Sequence, residues 1–181
     1  MDWKKFKENK TNELEEHSKK EMVDEQIAKL IKKINKNPNL VTISSCAGRI
    51  ILISEGKGEK FYRKWHREVK PEEIELAIID RTGDKLLWFR CEPFVLTVGA
   101  KDEKTALEFL RRMRIRGVIG GIQSISKDQI IIEIQGTGNI SIPINYIEGS
   151  WNKIILLANE MLEENFEKIK DIQNQLSNPD Q

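Results

Sequence analysis

Four groups of residues have the types and spacing to do chemistry. The first is Ser44-Ser45-Cys46-Ala47-Gly48-Arg49, a small polar turn that ends on one guanidinium between two apolar runs. Hydroxyls, exposed backbone N–H groups and an arginine together suit a carboxylate or a phosphate, although Ser/Gly-rich turns also occur where nothing binds. The second is the stretch from Lys57 to Lys70. It interleaves Lys57, Lys60, Arg63, Lys64, Arg67 and Lys70 with Phe61, Tyr62 and Trp65. Cations that neutralise phosphates beside rings that stack on bases describe a nucleic-acid surface, and a charge-protected edge strand with core aromatics has the same composition. The third is the cluster Arg111, Arg112, Arg114 and Arg116, placed either to contact phosphates or to complement the C-terminal dipole of a helix. The fourth is Trp88-Phe89-Arg90-Cys91-Glu92-Pro93-Phe94, where a carboxylate beside a proline kink is a pocket group or an exposed strand end.

Other chemistries are missing. Gly56-Lys57-Gly58 and Gly136-Thr137-Gly138 each lack the third glycine and following helix of a dinucleotide-type fingerprint, and no G-x-x-x-x-G-K-[ST] loop is present. Cys46 and Cys91 stand alone without C-x-x-C spacing. A zinc site would need His17, Cys46, His66 and Cys91 to converge from four separate segments, and a Cys46–His66 nucleophilic pair has no local signature. No metal is expected.

The 181 residues carry 30 Lys+Arg against 29 Asp+Glu, a net charge of +1 that at first argues against an anionic partner. The total hides a gradient: residues 1–40, 41–120 and 121–181 carry +2, +4 and −5. Binding follows the local field, so the basic centre remains a candidate surface. Hydrophobic residues at 39% and charged residues at 33% exclude a disordered chain, and no run of eighteen apolar residues offers a membrane span. The charged start, MDWKKFKENK, lacks the apolar stretch of a secretory signal, so a cytoplasmic protein with reduced cysteines is expected. The sequence does not set an oligomeric state.

Several elements must position these groups. Residues 1–20 read as a polar helix or arm. Asp24 can cap a helix whose Ile27, Leu30, Ile31 and Ile34 form an apolar stripe, ended around Pro38. Residues 40–45 and 49–54 read as a β-hairpin turning at Gly48. In residues 61–69, alternation puts Phe61, Arg63, Trp65, Arg67 and Val69 on one side and Tyr62, Lys64, His66 and Glu68 on the other. Pro71 opens a short helix that ends around Gly83, and residues 85–98 form a β run broken at Glu92-Pro93. Asp102 caps a helix stopped by Gly117, β runs follow at 118–125, 129–135 and 140–144, and Ser150 caps the last helix, 150–176. Strands follow strands between helices, which indicates an α+β fold, mainly antiparallel, rather than a Rossmann domain. The helix-plus-three-strands order recurs in both halves and suggests a duplication within one domain, 1–181.

Val41-Thr42-Ile43-Ser44-Ser45-Cys46-Ala47-Gly48-Arg49-Ile50 resembles the T-T-S-S-C-S-G-R-I signature of the wybutosine-synthesis protein 3 family. The resemblance extends to Val23-Asp24, Trp65 and His66, Trp88-Phe89, Glu92-Pro93-Phe94 and the paired strands after Gly117, in order over residues 3–145. It implies duplicated β-rich units around one barrel-like sheet. It also implies an enzyme that uses S-adenosylmethionine to methylate the N-4 nitrogen of a demethylwyosine-type tricyclic base beside the anticodon of tRNA-Phe. On that reading Ser44, Ser45, Cys46, Gly48 and Arg49 form a ligand-holding turn. Asp24, His66 or Glu92 accepts the proton that the nitrogen loses, and Trp65 or Trp88 stacks on the tricycle. Pro93 and Phe94 adjoin the cofactor- or substrate-binding surface. Lys60, Arg63, Lys64, Arg67, Arg111, Arg112, Arg114 and Arg116 face the tRNA. Three departures stand out: Ala47 replaces a serine, Gly117-Val118-Ile119-Gly120-Gly121-Ile122 replaces G-F-R-x-S-G-I, losing an arginine and a serine, and the Trp-to-His spacing is compressed at Trp65-His66. The competing readings are a non-catalytic RNA-binding module, which needs only the basic aromatic stretch, and a thiol-dependent enzyme using Cys46.

Overall fold

The computed structural model describes residues 2–54, 60–79, 86–144 and 151–177. Two antiparallel four-stranded sheets organise them, and the chain passes between the sheets in links of two or three residues. The helices are α1 (Trp3–Lys19), α2 (Glu25–Asn35), α3 (Pro71–Ile79), α4 (Glu103–Arg112) and α5 (Trp151–Gln175). The strands are β1 (Leu40–Cys46), β2 (Arg49–Ser54), β3 (Lys60–Trp65), β4 (Leu87–Glu92), β5 (Val95–Ala100), β6 (Val118–Ile125), β7 (Ile130–Gly136) and β8 (Ile140–Pro143). The first sheet has the order β1-β5-β7-β6 and the second β3-β2-β4-β8. Contacts divide the chain into two compact units: residues 1–47, 94–137 and 166–181, and residues 48–93 and 138–165.

In the first unit, Leu96, Val98, Ile132 and Ile134 are fully buried beneath α4, which brings Ala106 and Phe109 to them. The α2 stripe, Ile27, Leu30, Ile31 and Ile34, is buried as the spacing predicts. Asp102 caps α4 as expected: its Oδ1 accepts from the Thr105 hydroxyl and backbone N–H, and those bonds hold the carboxylate below its usual pKa. The helix α1 buries no residue of its own. It is tied down by Phe6 against Gly99 and by the Lys7 ammonium, which donates to the carbonyls of Asn35 and Leu40 at 3.0 and 2.7 Å. Burial pushes the pKa of that ammonium down.

In the second unit, Phe89 and Cys91 are buried on the sheet face that meets α5. The Trp151 ring lies edge-on to Phe89 at 5.9 Å, and the Cys91 thiol donates to the Ala158 carbonyl. Asn159 grips the segment before α3: its Oδ1 accepts from Val69 N–H at 3.0 Å and its Nδ2 donates to Val69 O at 2.8 Å.

Four expectations need correction. There is no hairpin between β1 and β2 and no single barrel-like sheet: β1 pairs with β5, whereas β2 pairs with β3 and β4. The reason is the link itself, Ala47-Gly48, where Gly48 at φ +100° turns the chain out of one sheet and into the other. The two units interleave along the chain, and each holds one four-stranded antiparallel sheet. The strict alternation over 61–69 is broken by a bulge at Tyr62: Arg63 pairs with Leu52 but Phe61 with Ile53, so Phe61 shares a face with Lys64 rather than with Arg63 and Trp65. Finally, Asp24 occupies the N-cap position of α2 but makes no capping bond to the helix. The helix end expected around Gly83 and the cap expected at Ser150, with Lys57 and the Lys60 side chain, lie outside the described residues.

A side chain at Gly48 must adopt the strained φ that glycine takes freely. Gly48→Ala is expected to cost about 1–3 kcal/mol of stability, read as a lower urea midpoint with an unchanged slope.

Candidate functional site

Each unit carries a row of chemistry-bearing side chains on one face of its sheet, with Ser45 and Trp65 on the opposite faces. In the first unit, a bulge between Thr42 and Ser44 shifts the β1 register, so that Ser44 pairs with Thr97 and Cys46 with Val95. The pairing continues across the sheet: Thr97 with Glu133 and Glu133 with Gly121, then Val95 with Gln135 and Gln135 with Ile119. Ser44, Thr97, Glu133 and Gly121 therefore form one cross-strand row, with Cys46, Val95, Gln135 and Ile119 the next. The Ser44 and Thr97 hydroxyls are bonded at 3.0 Å. An open cavity of about 220 Å³ lies at the β6 end of these rows, lined by Gly120, Gly121, Glu133 and Gln135. Ser45, displaced by the bulge, sits opposite Leu96.

The carboxylate of Asp24 reaches forward to the turn, where its Oδ2 accepts from the Ala47 backbone N–H at 2.7 Å. This explains why it does not cap α2. Ala47 itself is fully buried, so the position carries no exposed hydroxyl and contributes an N–H instead.

In the second unit, the register places Arg49, Phe61, Lys64, Trp88, Arg90, Glu92 and Ser141 on the sheet face opposite Phe89 and Cys91. Arg49 and Glu92 are cross-strand partners, and Arg49 Nε donates to Glu92 Oε2 at 2.7 Å. The Arg49 guanidinium also lies over the Phe61 ring, 4.7 Å from its centroid, while Arg90 lies 5.8 Å from the Trp88 centroid. The arrangement offers guanidinium planes and aromatic rings together, the composition that stacks on a heterocycle.

The expected residues separate accordingly. Asp24 joins the Ser44–Gly48 turn, and Arg49 joins Glu92. Trp88 and Pro93 are half-buried, whereas Phe94 is fully buried and belongs to the core rather than to a binding surface. Trp65 and His66 are half-buried at the end of β3; Trp65 shares the face of Ile50, opposite that of Arg49 and Trp88. Arg63 is exposed and folds back over Tyr62, 4.9 Å from the ring centroid. Arg67 forks onto Glu73 with bonds of 3.1 and 2.7 Å, and that guanidinium holds the Glu73 carboxyl at about 2, so Arg67 is committed within the protein. Arg111, Arg114 and Arg116 are exposed near the α4 C-terminus, and Arg112 lies 3.6 Å from Glu108. Thr97, Glu133 and Gln135 were not singled out by sequence. Their signal was present in Ile130-Ile131-Ile132-Glu133-Ile134-Gln135, where the polar residues fall every second position.

The two cysteines differ in kind. Cys91 is buried, and that burial, with Glu92 beside it, pushes its thiol up to about 11. It stays protonated at neutral pH and out of thiolate chemistry. Cys46 is half-buried beside the turn.

A family model described as Methyltransferase TYW3 matches residues 3–178. A protein of Thermococcus sibiricus named tRNA(Phe) 7-((3-amino-3-carboxypropyl)-4-demethylwyosine(37)-N(4))-methyltransferase is 34% identical over 169 residues, covering 87% of this chain and 85% of the relative. The tRNA wybutosine-synthesizing protein 3 homolog of Xenopus laevis is 31% identical, covering 92% of this chain and 70% of its own. A solved structure from Pyrococcus horikoshii superposes with a TM-score of 0.89 at 32% identity over 97% of this chain and 96% of that one.

Asp24→Ala removes the acceptor of a part-buried N–H, and the expected loss is about 1–3 kcal/mol in urea unfolding; Asp24→Asn, which keeps an acceptor, loses less. Alkylation of the folded protein with iodoacetamide at pH 8 is expected to give one adduct by mass spectrometry, at Cys46. A second adduct, at Cys91, appears only after denaturation.

Proposed function

The chain belongs to the methyltransferase TYW3 family, and we propose on that footing that it methylates the N-4 nitrogen of a 7-(3-amino-3-carboxypropyl)-4-demethylwyosine-type base in tRNA(Phe), with S-adenosylmethionine as donor. The observation that carries this reading is the family match over residues 3–178, joined to relatives of that printed activity at 32–34% identity along most of the chain. The donor supplies an electrophilic methyl group on a sulfonium. The residues offer polar groups to a nucleoside ligand: Ser44 bonds Thr97 on one face of β1, while Ser45 lies on the other face with a buried Thr42 Oγ1 that bonds to no described residue. A buried hydroxyl without a partner is costly unless a ligand or water meets it.

Transfer to a ring nitrogen needs in-line alignment and a proton acceptor. Of the three candidates, Glu92 has its Oε2 engaged by Arg49 Nε at 2.7 Å. Asp24 and His66 are the proton acceptors of this reading. Exposed Lys64 and the cations Arg111, Arg114 and Arg116 face tRNA phosphates, one group on each unit. No described helix is long and apolar enough to cross a membrane.

Incubation with methyl-labelled S-adenosylmethionine and tRNA from a strain lacking the enzyme is expected to place label in the tricyclic base, recovered by nuclease digestion and mass spectrometry. Binding of that tRNA without label in the base would instead identify a non-catalytic RNA binder.

A further inference from the structure

We propose that Arg49 and Glu92 form a subsite for an α-amino-acid group, holding its carboxylate on the guanidinium and its ammonium on the glutamate. Only Nε of Arg49 and Oε2 of Glu92 are spent on their mutual bond. Among the described residues, both Nη nitrogens of Arg49 and Oε1 of Glu92 make no hydrogen bond. The pair thus presents a fork of donors beside a carboxylate oxygen, the mirror of a zwitterion's carboxylate and ammonium. Phe61 backs the guanidinium at 4.7 Å and sets its plane, so little side-chain freedom remains to be lost on binding.

Charge separates this occupant from the obvious alternative. A phosphate would meet a guanidinium already neutralised by a carboxylate 2.7 Å away, and the carboxylate would repel it. A zwitterion meets each charge with its opposite and brings no net charge to two side chains that are 25% and 31% exposed. Arg49 is therefore a poor contact for the tRNA backbone and a good one for an amino acid.

The subsite rests on the methyltransferase reading, which supplies two molecules bearing such a group: the 3-amino-3-carboxypropyl arm of the base and the methionine end of the donor. Either is a short aliphatic tether on a heterocycle. Arg90 and Trp88 continue from Glu92 along the same strand face at intervals of about 7 Å, half-buried beside the buried Ile51 and Ile53, and the exposed ring on this face within reach of that tether is Phe61.

The test uses the full chain and the variants Glu92→Gln and Arg49→Lys, each checked for an intact fold by its thermal transition. One arm compares the affinity of S-adenosylmethionine with that of 5′-methylthioadenosine, which lacks the amino-acid portion, by titration calorimetry. The other compares kcat/KM on tRNA carrying the aminocarboxypropyl base with tRNA carrying 4-demethylwyosine. The expected result is a loss of at least about 10-fold in one of these preferences in both variants, the arm affected naming the source of the group. Both preferences unchanged, with only stability lowered, would identify a plain cross-strand pair and overturn the subsite. If the wild-type chain methylates neither tRNA, the function reading fails by itself, and the affinities of the two tRNAs replace kcat/KM in the second arm: no loss of either preference in the variants rejects the subsite.

Discussion

Between Cys46 and Arg49 the chain leaves one antiparallel sheet and enters another within two residues, and the positions of both candidate surfaces follow from how that step is made. Gly48 supplies the positive φ that an L side chain resists, and Ala47 presents a buried N–H that must be paired. Asp24 pairs it at 2.7 Å. The carboxylate therefore does structural work at the link while standing beside the residues that resemble a catalytic signature. With the step fixed, Cys46 ends β1 in the row of Gln135 and Ile119, and Arg49 opens β2 directly opposite Glu92.

The neutral total charge is the sum of committed and uncommitted groups. Arg49 is matched by Glu92, Arg67 by Glu73 and Arg112 by Glu108, all through side chains of the same unit. These pairs explain why a count of cations in the centre of the sequence overstates the field available to a polyanion. Exposed cations outside those pairs are divided between the units: Arg111, Arg114 and Arg116 on the first, and Arg63 and Lys64 on the second, among others. A basic segment in sequence is thus two smaller basic surfaces in space.

Local chemistry was legible and pairing was not. The α2 stripe, the Asp102 cap, Pro71 at the start of α3 and the break at Pro93 each depend on a few neighbouring residues, and each was readable from them. The hairpin between β1 and β2 was wrong because a short turn containing glycine has the same composition whether it reverses a strand or redirects it. The bulge at Tyr62 was invisible for a related reason: a bulge is a property of two strands, and only the pairing of Arg63 with Leu52 and Phe61 with Ile53 exposes it. Asn159, which holds Val69 from 90 residues away, has no local signal at all. The turn signature was recognisable, yet its partners Thr97 and Glu133 come from strands far along the chain and are joined to it only by register.

The departures in β6 can be weighed by the space around each glycine. A Cβ on Gly120 would lie 2.6 Å from Ile134 Cγ2 and 3.2 Å from Leu110, so close packing of α4 and β7 requires glycine there. Gly121 is different: nothing lies within 4 Å of its Cβ position, and its backbone is not in the left-handed region. The fold would accept a side chain at Gly121. Gly121 ends the row that begins with Ser44 and passes through Thr97 and Glu133. The row's polar character at that end therefore rests on Glu133 and, in the next row, on Gln135, which line the open cavity left by the two glycines. The six residues 117–122 stand against the seven of G-F-R-x-S-G-I, and matching the shared final Gly-Ile puts Gly120 at the serine, where the approach of Ile134 to 2.6 Å accounts for the loss of a side chain.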